Sequence, residues 1–181
     1  MSKLHHRDIR LPEYDYSQEG EYFVTICAQD RKCVLGDIID GQMKLSKYGW
    51  IVEQCWCNLV SHYTGVELDT FVIMPNHVHG IIVITGDVNV IKNVGDGFKP
   101  SPTGRIIAKS HGLPEIVRAF KTFSARKINE KRNIKGQKVW QRNYFEHIIR
   151  NEKSLKKIRE YIYNNPRNWQ DDDENPNRQL I

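Results

Sequence analysis

Phe71-Val-Ile-Met-Pro-Asn-His-Val-His-Gly-Ile-Ile-Val-Ile84 is the most apolar run in the chain, and it carries two histidines at its centre. Residues 66–74 and 77–85 each read as a buried strand, with Pro75-Asn76 as the turn between them. Side chains alternate faces along a strand, so His77 and His79 leave the same face about 7 Å apart while Val78 points the other way. An unpartnered imidazole in a core is costly, and neutral imidazole is a common metal ligand, which makes this face the candidate seat of a divalent metal. For an isolated His-x-His the competing reading is structural, with one ring hydrogen-bonded in the core and the other at a strand end.

The length of 181 residues suits one domain with a real core and is too short for two plus linkers. The expectation is therefore a single domain, 1–181, with a surface arm over 1–20, a long loop over 86–112 and an acidic tail over 170–181. No apolar run approaches the roughly 18 residues of a spanning helix, and no hydrophobic segment follows the charged N-terminus, so the expected location is cytoplasmic and no membrane partner is expected. Cys27, Cys33, Cys55 and Cys57 form no C-x-x-C pair, so reduced core thiols are expected rather than a zinc knuckle. The net charge of +5 is uneven: from Arg118 to Arg167 there are 15 Lys or Arg against 4 Asp or Glu, and elsewhere 12 against 18. A basic half points to a polyanion, nucleic acid first, although a solvated lysine-rich helix surface gives the same count.

In chain order, Glu21–Ala28 is a short β-prone run, and 33–46 reads as a hairpin turning at Asp40-Gly41. Ser46 caps a helix with Tyr48, Ile51, Val52, Cys55 and Leu59 on one face, and Trp50 and Trp56 are read as core or rim residues. The stretch 86–112 has five glycines and no periodicity, hence a long loop. Helical spacing returns over 113–129 through Ile116, Val117, Phe120, Phe123 and Ile128, with Lys121 and Arg126 on its outer side. Residues 139–145 read as the last strand or an extended segment, with Trp140 packed inside. A final helix over 152–164 buries Leu155, Ile158 and Ile162 and ends before Pro166. Tyr161 and Asn165, one turn apart, share a face. The run Asp171-Asp-Asp-Glu174 reads as solvated, with no metal site. No P-loop, G-x-S-x-G or H-E-x-x-H signature is present.

The string Met74-Pro-Asn-His-Val-His-Gly80 resembles the HUH motif (His, hydrophobe, His) of single-tyrosine transposases, the REP-associated tyrosine transposases in particular. The resemblance extends through Leu11-Pro-Glu-Tyr-Asp-Tyr16, Tyr22-Phe-Val-Thr-Ile-Cys27, 139–150 and Tyr161-Ile-Tyr-Asn-Asn-Pro166, in the family's order. It implies an α+β fold, an antiparallel β-sheet of four or five strands with helices packed on one side, ferredoxin-like and RRM-like. It also implies Tyr161 as the catalytic nucleophile, and Asn165 as the third metal ligand beside His77 and His79, with Mg²⁺ or Mn²⁺ as cofactor. The activity implied is nicking and strand transfer of single-stranded or hairpin DNA through a 5′-phosphotyrosine, by a monomer or homodimer. Lys121, Arg126, Arg142 and Lys157 are the candidate DNA-binding residues. The alternatives are a non-catalytic RRM-like nucleic-acid-binding domain and a zinc hydrolase that leaves free 5′-phosphates.

Overall fold

β1, Gly20–Cys27, alternates two apolar sets: Tyr22, Val24 and Ile26 enter one core cluster, and Phe23 enters another on the opposite face. A strand buried on both faces belongs at the centre of a sheet, and β1 sits there in the computed structural model, which describes residues 14–86 and 111–178. The other sheet strands are β4, Val66–Ile73, β5, His77–Ile84, and β6, Phe145–Ile149. Their order is β4-β5-β1-β6, every pairing antiparallel. Between β1 and β4 lie a hairpin, β2 (Gly36–Ile39) with β3 (Gln42–Leu45), and the helices α1 (Lys47–Cys57) and α2 (Leu59–His62). The helix α3, Leu113–Arg132, links β5 to β6. This is the βαββαβ succession and strand order of ferredoxin-like folds, extended by the helix α4, Glu152–Asn164.

Local chemistry explains the boundaries. The hairpin turns at Asp40 (φ 51°) and Gly41 (φ 69°), the positive-φ pair that a two-residue turn between twisted strands needs. Ser46 Oγ accepts from the Tyr48 and Gly49 amides at the start of α1. α3 opens with Pro114 and Glu115 and ends in Lys131 and Arg132, each charge matching the helix dipole. Asn151 caps α4 by accepting from the Ser154 amide.

The two crossover helices cover one face of the sheet. Trp56 is fully buried there, edge-on to Phe120 with ring centroids 5.2 Å apart. It explains the glycine that follows the second histidine, because a Cβ on Gly80 would stand 2.3 Å from the indole. α4 covers the other face, with Leu155 and Ile162 packed on Phe23, Ile81 and Ile149. It is tied to the edge strand where Arg159 donates to both Asp69 carboxylate oxygens, beside the bulge between Leu68 and Phe71. That guanidinium holds the Asp69 carboxyl down at about 2.

The structure corrects four expectations. Helices lie on both faces of the sheet rather than one, since α4 follows β6 and folds back under the face that α1 and α3 leave open. The last strand is Phe145–Ile149, and 139–144 contributes only an isolated bridge between Trp140 and Ala28. Residues 14–20 do not lie wholly on the surface as an arm, because Tyr16 is buried in the core. The segment after α4 is folded, with Trp169, Asp172 and Asn175 all buried. Residues 1–13 of the arm and 87–110 of the loop lie outside the described residues. Among the described residues, no helix is long and apolar enough to cross a membrane.

Candidate active site

β5 and α4 supply the centre of the site. Register pairs Thr25 with His79 and Cys27 with His77, so both imidazoles stand on the α4 face at one end of the two central strands. Their ring centroids are 4.3 Å apart. Both rings are buried, His77 at 0% and His79 at 3% exposure. Burial pushes the His77 pKa down to about 3, helped by the Arg31 charge, and pushes His79 well down too, with His77 adding to the effect. Both are therefore neutral at ordinary pH, the form that offers a lone pair.

Hydrogen bonds fix which nitrogen carries that lone pair. Asn76 spends its amide NH₂ on the carbonyls of Arg31 and Glu174, so its Oδ1, 2.8 Å from His77 Nδ1, can only accept. His77 is then protonated on Nδ1, and its Nε2 is a buried lone pair without a hydrogen-bond partner. His79 Nδ1 meets Thr25 Oγ1 at 2.8 Å. On its other side His79 Nε2 lies 3.2 Å from the Tyr161 hydroxyl, which reaches it from half-exposed α4. Phe23 stacks on His79 and meets Tyr161 edge-on, which holds the two rings in this arrangement.

A carboxylate joins them that the sequence pattern did not mark. Asp172 is buried, and a carboxylate oxygen of it lies with a ring nitrogen each of His77 and His79 in a cluster whose atoms are all within 4.8 Å of one another. Asn165, the residue implied as third ligand, donates through Nδ2 to Asp172 Oδ2 at 2.9 Å, while its own Oδ1 is buried without a partner. Burial and the Asp172 charge push the Tyr161 hydroxyl up to about 12, against a hydrogen bond from Asn165 that lowers it. Asp172 is delivered by a turn of 3₁₀ helix at Trp169–Asp171, and Trp169 packs near His77 with ring centroids 6.1 Å apart. The readable signal was Trp169: a tryptophan between Asn168 and an acidic run marks a segment with something to pack against.

Tyr161, His77, His79 and Asn165 are thus brought together, within one chain, whereas the four basic candidates are not. Lys121 is half-buried and donates to the Gln141 and Arg142 carbonyls at 2.6 and 2.8 Å, so it braces the loop before β6 rather than facing solvent. Arg126 is exposed over the Phe123 ring and 3.8 Å from Glu130. Arg142 is exposed beside α3, and Lys157 is exposed on α4, across the sheet from the other three.

The family model described as Transposase IS200 like matches residues 105–165, the part containing α3, β6 and α4. An uncharacterized protein of Haemophilus influenzae is 45% identical over 171 residues, 93% of this chain and 92% of its own. A second Haemophilus influenzae protein, described as a REP-associated tyrosine transposase, is 29% identical over 84% of this chain and 73% of its own. A solved structure of a REP-associated tyrosine transposase bound to a REP hairpin shares the fold, with a TM-score of 0.55 at 18% identity, covering 87% of this chain and 72% of that one. The stretch from α3 to α4 is thus similar to the IS200-like transposases, and the whole chain resembles a REP-associated tyrosine transposase of Haemophilus influenzae in sequence and another in fold.

Proposed function

We propose that the protein is a metal-dependent, single-domain DNA transposase that nicks and rejoins single-stranded DNA at hairpin or repetitive palindromic sequences, with Tyr161 as nucleophile. The observation that carries this reading is the approach of the Tyr161 hydroxyl to a buried, neutral donor set, 3.2 Å from His79 Nε2. The donors fit a cation. Two buried atoms of the cluster, His77 Nε2 and Asn165 Oδ1, lack partners, and a lone pair left bare in a core is costly unless something occupies it. His77, His79 and Asp172 would hold the ion, with Asn165 Oδ1 beside them, and this nitrogen and oxygen mixture suits Mn²⁺ as well as Mg²⁺. When bound, the ion supplies positive charge to the scissile phosphate oxygens.

The chain's own residues account for the rest. Tyr161 oxygen forms a bond to phosphorus as the bond from phosphorus to the 3′-oxygen breaks. The phenolic proton leaves to solvent and the departing 3′-oxygen takes one up, so no co-reactant is consumed. The products are a 5′-phosphotyrosine and a free 3′-hydroxyl, and a 3′-hydroxyl can reverse the reaction to join strands. With its pKa near 12, Tyr161 stays protonated until positive charge reaches its surroundings. With Nδ1–H donated to Thr25 Oγ1, His79 Nε2 would serve either the tyrosine hydroxyl or a cation, and a cation held there would leave the hydroxyl to phosphate. Arg126, Arg142 and Lys157 remain available for phosphate contacts, and Lys121 contributes by shaping the 141–142 backbone.

The test is a hairpin oligonucleotide labelled at its 3′ end and incubated with Mg²⁺ or Mn²⁺. A labelled band that stays with the protein on a denaturing gel is expected, and Tyr161→Phe lowers its rate by about 10⁴-fold or more. Free 5′-phosphate without an adduct makes the protein a hydrolase, and binding without cleavage makes it a non-catalytic module.

A further inference from the structure

On the side of the sheet away from α4, a cavity of ≈ 950 Å³ runs between α3 and the segment 136–144. A second, of ≈ 750 Å³, continues it, for the two share Gln29, Gln137, Lys138 and Val139 as walls. The first alone is near the upper end of the roughly 300–1,000 Å³ of small-molecule pockets, and the pair makes an elongated groove. Arg118, Lys138 and Arg142 line the first part, all exposed and without an ion pair among the described residues. No Asp or Glu appears among its described walls. The second part adds Lys32 and Arg132 against a single acid, Asp30. Tyr48 lies there with the Arg132 guanidinium 4.5 Å from its ring centroid and Lys47 on it at 5.1 Å. Cations along a groove beside an aromatic ring are the means by which proteins hold a single strand without reading its sequence.

The groove also lies close to the active site. Gln29 amide donates to the Val139 carbonyl in its wall, and the neighbouring Ala28 amide donates to the carbonyl of Asn76, both at 2.7 Å. Asn76 is the residue that sets the His77 tautomer. Only the end of β1 therefore separates groove from ligand strand.

We propose that this groove binds the phosphodiester backbone of the single-stranded DNA flanking the cut, an inference that rests on the reading of the protein as a single-strand nuclease. Arg118 and Lys138 are its principal phosphate contacts, neither of them on α4 or β5. The flank is held on the helical face while the scissile phosphate lies on the α4 face.

The probe is a fluorescein-labelled oligothymidylate of about 30 nucleotides, longer than a typical single-strand footprint, followed by anisotropy over a salt series. Arg118→Glu with Lys138→Glu weakens its binding at least about tenfold and reduces the steepness of the log–log salt dependence by about 1.4, the value for two lost phosphate contacts. Arg118→Lys with Lys138→Arg keeps both affinity and slope. Circular dichroism and Mn²⁺ binding by the glutamate variant stay at parental values, which separates lost contacts from lost fold. Unchanged affinity and slope in the glutamate variant, with Lys156→Glu and Lys157→Glu on α4 weakening binding instead, overturns the groove and leaves the nuclease reading intact. A parent that prefers oligouridylate of the same length over oligothymidylate overturns the DNA assignment of the groove. A parent that binds no oligothymidylate at all removes the nuclease reading, and the groove with it.

Discussion

The two faces of the sheet are built from the same strands to opposite ends. On β5, Val78 and Ile82 enter the cluster under α1 and α3, while His77 and His79, one residue out of phase, lie under α4. The first face is largely apolar, sealed by Trp56 and Phe120, with Glu146 as a buried acid opposite Val24. The second buries Thr25, both histidines, Asn165 and Asp172, and leaves two polar atoms without partners. A domain is only marginally stable, so polar burial of this kind persists where the opposite face supplies enough apolar burial to carry it. The helical face provides stability and the α4 face spends it on reactivity.

Breaking the apolar face has the largest expected effect on stability. Trp56→Ala leaves a cavity against Gly80 and Phe120 and costs about 3–5 kcal/mol, measured by urea unfolding. A loss below about 1 kcal/mol would mean that the helical face is not the main support. Acid acts on the other face. The unfolded chain protonates histidine near its ordinary 6.5, whereas folded His77 resists protonation until about 3. Below about pH 6.5 the unfolded state therefore binds more protons, and metal-free protein loses about 1.4 kcal/mol per pH unit for each histidine held neutral. His77→Asn flattens that slope between pH 6.5 and 4. A slope equal to the parent's would place the acid sensitivity elsewhere.

Subtler changes sharpen the division. Asn76→Ala frees the His77 tautomer and lowers Mn²⁺ affinity about 10–100-fold by calorimetry, the range for losing a partner that orients a ligand. Tyr161→Phe removes the hydroxyl that competes for His79 Nε2 and tightens Mn²⁺ binding about fivefold, the equivalent of one net hydrogen bond of about 1 kcal/mol. Weaker binding in that variant would make the tyrosine a ligand rather than a competitor. Asp69→Asn loosens the tether to Arg159 and costs about 1 kcal/mol, since the guanidinium is partly in solvent.

Much of this arrangement was readable from periodicity. The strands at Val66–Ile73 and His77–Ile84, the Asp40-Gly41 turn and the whole of α4 follow from alternation, helical spacing and caps. Which face α4 would cover did not, because an apolar stripe shows that a helix has a buried side without showing where that side goes. β6 escaped for a related reason: Phe145–Ile149 pairs only with β1, and its burial depends on that long-range partner. Asp172 was hidden among Asp171, Asp173 and Glu174, which look alike in sequence. They are told apart only by distant contacts: Asn165 holds Asp172, and the Arg31 carbonyl and Glu174 carbonyl meet at Asn76. Lys121 was misread because its spacing gives the outer side of α3, and the carbonyls it braces belong to a segment 20 residues away.

The contact between Tyr161 and His79 joins residues 82 positions apart. Closures of that span are slow relative to hairpins and helices, which form from neighbours. During synthesis, the histidine strand and the helical face are made long before α4 emerges. A nascent or half-folded chain thus carries the paired imidazoles before Tyr161 is in place, so on the proposed function the capacity to cut DNA is acquired last, once the scaffold that confines it already stands.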